Sequence, residues 1–153
     1  MSLAGVRAAA AALLARRDYA SGELHRKLTG QGHDAAEVDT VVAQFRAERL
    51  VDDARYAERY VAWHAARGHG PVRIRRDLRA LGLAAELIEA ALGTTDFAPL
   101  ALAARARKFG AAPPAEFREK ARQARFLQYR GFSADDIRSA LGSDPGDTLD
   151  PDT

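Results

Sequence analysis

The sequence predicts an all-α fold: three tandem three-helix repeats of about 50 residues, stacked into an elongated, curved body. Three observations predict it. Helix formers dominate, glycine and proline fall mostly between periodic segments, and no segment alternates like a strand. Leu28, Gly32, Ala35, Val38, Val41 and Val42 recur 50 positions later as Leu78, Gly82, Ala85, Ile88, Ala91 and Leu92, and 49 positions after that as Leu127, Gly131, Ala134, Ile137, Ala140 and Leu141. A unit of that length buries little apolar surface alone, so neighbouring units are expected to share a core.

The repeats are expected at 1–48, 49–93 and 94–143, with 144–153 an acidic tail whose composition predicts disorder. Their first helices run from about Leu3 to Arg16, Asp53 to Arg67 and Phe97 to Phe109. The second helix of each repeat ends at the recurring glycine, which tolerates the left-handed conformation beyond a helix C-terminus. The third helix starts a residue or two later, N-capped by Asp34 or Ser133 and more weakly by Ala84, with Val38, Val41 and Val42 as its buried stripe. Asp52 and Asp53 cap the second repeat's first helix and Asp96 the third's, with Gly93 to Thr95 between. The third repeat departs most from the pattern. Gly110 to Pro114 stops one helix, and Pro113 or Pro114 is expected in the first turn of a long helix reaching Arg130.

With 47% hydrophobic and 29% charged residues, the chain has the composition of a soluble globular protein of one ordinary domain or a few small units. It contains no cysteine, which excludes disulfides, thiolate-bound metals and thiol nucleophiles. No apolar run approaches the roughly 18 residues of a membrane span, and no signal-peptide pattern opens the chain, so a cytoplasmic location is expected. The formal charge is +2, but Asp144, Asp147, Asp150 and Asp152 all lie in the last segment. Without them 23 basic residues face 17 acidic ones, a balance of +6. All but Lys27, Lys108 and Lys120 of the basic residues are arginines, whose forked guanidinium suits carboxylates and phosphates. GC-rich codon usage favours arginine and alanine as well, so that excess by itself identifies no partner.

Catalytic constellations are not legible. The sequence holds no Gly-rich phosphate loop, no His-Glu-x-x-His and no glycine-flanked serine elbow. His64 and His69 stand five apart, about 140° around a helix, and Gly68 should end that helix between them, so no metal site and no cofactor are expected. The acidic pairs Asp52–Asp53 and Asp135–Asp136 begin helices, where carboxylates complement the macrodipole. Tyr56, Tyr60 and Trp63 share one face and read as core or as the seam between repeats. Two basic faces carry more weight. Ile74, Leu78 and Leu81 fall within about 60° of arc, which leaves Arg75, Arg76 and Arg79 opposite, extended by Arg73. Arg118, Arg122, Arg125 and Tyr129 form a second stripe at spacings of four, three and four, with Arg130 beside it. Neither face carries enough acids to neutralise itself, so a negatively charged partner is expected, nucleic acid or an acidic protein groove alike.

The run Leu50-Val-Asp-Asp-Ala-Arg-Tyr-Ala-Glu-Arg-Tyr60, the segment Gly70 to Gly82, and Phe126-Leu-Gln-Tyr-Arg-Gly-Phe-Ser133 resemble the bacterial RecX regulatory proteins. The resemblance spans about Ala11 to Leu141 and includes Arg16-Arg17-Asp18-Tyr19 and Glu23-Leu24. It implies a cytoplasmic, non-enzymatic modulator whose three-helix units lie along the groove of the RecA–DNA filament; a monomer without cofactors is expected. The implied effect is inhibition of filament growth, ATP hydrolysis, strand exchange and the coprotease activity that triggers the SOS response, with weak binding to single- or double-stranded DNA. Arg130 matches the family's Arg-Gly-Phe; the remaining partner-binding residues rest on the helical wheels. Two other readings compete: a helical DNA-binding module that acts by competition for DNA, and a structural adaptor for an unrelated partner.

Overall fold

The computed structural model describes residues 2–142, and the expected acidic tail lies outside them. Among the described residues the chain folds into nine helices and no strand: α1 (Leu3–Arg16), α2 (Ser21–Gly30), α3 (Ala35–Ala47), α4 (Asp53–Ala66), α5 (Pro71–Ala80), α6 (Ala85–Leu92), α7 (Phe97–Phe109), α8 (Phe117–Tyr129) and α9 (Ala134–Ala140). No single helix among them is long and apolar enough to cross a membrane.

The recurring leucine and glycine do the same work three times. Gly32, Gly82 and Gly131 take φ of +94°, +85° and +95°, a region open to glycine at little cost. The turn they make lets the following amide donate back to the recurring leucine's carbonyl: His33 N to Leu28 O at 3.2 Å, Leu83 N to Leu78 O at 3.2 Å and Phe132 N to Leu127 O at 3.1 Å. Those leucines are fully buried. Beyond two of these turns the expected caps are in place, Asp34 accepting from Glu37 N and Ser133 from Asp136 N, both at 3.2 Å.

By its contacts the chain divides into two compact units, 1–59 with 77–91, and 60–76 with the described residues from 92 onward. In the first, α1, α2 and α3 pack on one another around Val6, Leu24, Leu28, Val38, Val41 and Phe45. Arg26 reaches the C-terminus of α5, its Nη2 donating to Ala80 O at 2.7 Å. Asp52 caps α4 by accepting from Arg55 N at 3.0 Å. Asp53, expected to share that cap, instead accepts from Ser21 N at 2.7 Å and from Ser21 Oγ at 2.5 Å, so it caps α2. Two adjacent carboxylates thus serve two helices, because successive side chains diverge by about 100° where a helix begins.

In the second unit α7, α8 and α9 pack together, with Phe109 edge-on to Phe126 at 5.4 Å between ring centroids. Asp96 caps α7 through Ala98 N at 3.3 Å. The expectation of a proline in the first turn of the next helix is overturned: residues 110–116 lie outside the helices and α8 starts at Phe117. Pro114 disfavours the helical region at Pro113, and a buried guanidinium holds the three residues before them. Arg105 is 2% exposed and donates to Gly110 O at 3.4 Å, Ala111 O at 3.1 Å and Ala112 O at 3.2 Å. Three successive carbonyls turned inward onto one cation cannot also align along a helix axis.

Candidate partner-binding surface

The junction between α8 and α5 is built from backbone. Gly70 N donates to Arg130 O and Val72 N to Gly131 O, each at 2.9 Å, so the start of α5 seats directly on the C-terminus of α8. Only glycine fits on both sides. A Cβ at Gly70 would stand 2.4 Å from Gly131 C, and one at Gly131 would stand 2.3 Å from Arg73 Cβ. This approach brings Arg73 of one predicted basic face beside Arg130 of the other, although 57 positions separate them in the sequence.

Along α5, Arg73 and Arg75 are half-buried, while Arg76 and Arg79 are exposed opposite the buried Ile74 and Leu78. On α8, Arg118, Arg122 and Arg125 are all exposed and Tyr129 is 81% exposed. Arg118 and Arg125 pair with no carboxylate among the described residues. One acid does reach into the stripe. Glu119, one turn before Arg122, accepts from Arg122 Nη2 at 2.9 Å and Nε at 3.1 Å, and from Gln123 Nε2 at 3.0 Å. These hydrogen bonds, Arg122's first, hold the Glu119 carboxyl below its ordinary range and raise the Arg122 guanidinium. Arg122 therefore contributes less free charge than its neighbours.

Two further expectations change. Trp63 is not a core residue: it is 52% exposed, and the Arg67 guanidinium stacks over its ring at 3.2 Å from the centroid. His64 and His69 do meet. Gly68, at φ +79°, turns the chain back so that their Nδ1 atoms lie 2.8 Å apart, a bond that requires one ring to be unprotonated there. Helical rotation alone could not foresee this, since the turn lies outside the helix. No cluster of three or more metal-ligating side chains occurs among the described residues.

Sequence reasoning missed a cleft of about 250 Å³ in the second unit. Leu100 and Phe126 line its apolar part, with alanines of α4 and α7 between. Arg67, Arg107, Lys108 and Arg130 line it as well, and no acid does. Lys108 and Arg130 lie 5.6 and 5.5 Å from the Phe126 centroid. None of the four cations pairs with a carboxylate among the described residues. The adjacent Arg107 and Lys108 were visible in the sequence, but their convergence with Arg67 and Arg130 was not.

Fold and surface together define a class, a basic helical-repeat protein. Comparison with known proteins narrows it. Models of the RecX first, second and third three-helix domains match residues 7–45, 52–92 and 99–141. The Regulatory protein RecX of Halorhodospira halophila is 45% identical over 140 residues, covering 90% of this chain and 87% of that one. That of Vibrio parahaemolyticus is 38% identical over 141 residues, 91% of each chain. A crystal structure of RecX from Lactobacillus salivarius shares the fold, with a TM-score of 0.80 at 20% identity over 92% of this chain and 94% of that one. The chain belongs to the RecX family of regulatory proteins.

Proposed function

We propose that this protein is a cytoplasmic regulator of the RecA recombinase that binds the groove of the RecA–DNA filament through its arginines and inhibits ATP hydrolysis, strand exchange and coprotease activity. In this role it modulates recombination, DNA repair and the SOS response. The observation that carries the reading is the glycine-to-glycine junction that sets Arg73 beside Arg130. Arg118 and Arg125 extend from there along α8, with Arg76 on α5. The backbone contact fixes where Arg73 and Arg130 leave the main chain, so that their attachment points are already side by side when an anionic groove engages them. A protein that fits one arrangement of filament subunits better than another shifts the filament by that difference in affinity.

The exposed ring of Tyr129 at the end of the α8 stripe favours, as a second reading, a DNA-binding module that stacks on unpaired bases and competes for DNA. One experiment addresses both: the DNA-dependent ATPase of the cognate recombinase, on preformed filaments, titrated with this protein at substoichiometric ratios. Inhibition that the double variant Arg118→Glu, Arg125→Glu abolishes, with helix content intact, supports the filament reading. Absence of inhibition together with tight binding to bare DNA supports the second.

A further inference from the structure

We propose that the basic cleft of the second unit is the docking site of the chain's own acidic segment, Asp144–Asp152. The cleft holds Arg67, Arg107, Lys108 and Arg130, lacks any acid and has an apolar part formed by Leu100 and Phe126. Four unpaired cations around an apolar surface repel one another and call for an anionic ligand with an apolar group. The segment offers four carboxylates, Asp144, Asp147, Asp150 and Asp152, no basic residue, and a single large apolar side chain, Leu149, between two of the acids.

The chain is also in the right place. Its last described residue, Gly142, lies against Pro113: a Cβ there would stand 3.7 Å from Pro113 Cβ. Pro113 follows Lys108 by five residues, so the two are at most about 18 Å apart. Leu149 follows Gly142 by seven residues, a reach of up to about 25 Å. A tethered ligand acts at an effective concentration in the millimolar range for a short connection, so weak intrinsic affinity suffices for occupancy. Docking covers Arg130 and would compete with any anionic partner that uses it. Only that regulatory consequence rests on the proposed function; the docking does not.

The test compares the full-length wild type with a full-length variant whose tail is neutral, Asp144→Asn, Asp147→Asn, Asp150→Asn and Asp152→Asn. A third protein, Arg107→Gln with Lys108→Gln, removes charge from the cleft instead. Backbone amide NMR spectra at low salt are expected to differ between wild type and neutral-tail variant at Arg67, Ala103, Ala104, Lys108 and Arg130, with the cleft variant showing the same displacement of the tail's own signals. The differences should collapse at about 1 M salt, where the screening length is about 3 Å. Trp63 is the only tryptophan, and its ring carries Arg67, so iodide should quench it about two-fold more strongly once the acids are gone. Spectral differences confined to the substituted positions, with unchanged quenching, would overturn the proposal. Differences that vanish on dilution would overturn it too, by assigning the cleft to a second copy's tail. A recombinase that ignores the protein while the spectra behave as expected would overturn the proposed function and leave the docking intact.

Discussion

Nη1 of the buried Arg105 donates to Oε1 of the buried Gln123 at 3.3 Å, joining α7 to α8 through their interior faces. Gln123 passes the connection outward, its Nε2 donating to Glu119, which holds Arg122 on the surface. A cation in the interior is tolerated because Gln123 and three loop carbonyls surround it. Of its nitrogens, Nε has no hydrogen-bond partner among the described residues.

Arg105→Ala should destabilise the protein by about 3–5 kcal/mol, since it leaves inward-facing carbonyls and a buried amide unsatisfied. Arg105→Lys should recover little, because a point charge cannot reach carbonyls that a fork spans. Thermal unfolding is the readout; a loss of about 10 °C or more is expected for a chain of this size. A fall of only a degree or two for the alanine variant would mean the loop holds its shape without the guanidinium.

Gly70→Ala forces a methyl group into backbone atoms 2.4 Å away, so the α5–α8 junction must open. We expect about 3 kcal/mol of destabilisation, at the upper end of the usual range for overpacking because the neighbours are backbone. Filament inhibition should weaken in parallel at temperatures where the variant remains folded. Inhibition at the wild-type level would show that the placement of Arg73 beside Arg130 is unimportant.

Glu119 gives the pH dependence. Its folded pKa lies below the ordinary value, so its contribution is present above the unfolded pKa and disappears as pH falls through the folded one. A carbon-detected titration should place its midpoint below those of ordinary glutamates, and Arg122→Ala should move it upward. Glu119→Gln releases Arg122 and should steepen the salt dependence of binding to a polyanion by about one counterion. An unchanged slope would place Arg122 outside the contact surface.

Asp52 and Asp53 separate two neighbouring caps. Asp52→Ala removes one N-cap and should cost about 1 kcal/mol. Asp53→Ala removes two hydrogen bonds to Ser21, one from a backbone amide at the start of α2, and should cost about twice as much. Amide exchange should then rise in α2 for the Asp53 variant and in α4 for the Asp52 variant. Acceleration confined to α4 in both would contradict the division of roles.

Much of this architecture is local in origin and therefore readable along the chain. The Leu-x-x-x-Gly recurrence gives helix, left-handed turn and back-donating amide within six residues, and Asp34, Asp96 and Ser133 cap the helices that follow them. Even the first helices of the repeats begin where their capping residues stand. These features depend on nearest-neighbour sterics and hydrogen bonding, which composition and spacing encode directly.

The contacts that matter for binding are of another kind. That Arg105 turns inward while Arg107 and Lys108 stay outside depends on what packs against α7, since an arginine on a helix carries no mark of its fate. Gly68 folding His69 onto His64, Asp53 crossing to Ser21, and Gly70 meeting Gly131 all join residues whose proximity no periodicity predicts. The sequence by itself determined an all-helical, three-repeat, basic chain, because helix and turn are set by local physics. Which arginines are spent on structure, which stand together unpaired, and where an apolar floor lies between them were decided only when distant segments closed on one another.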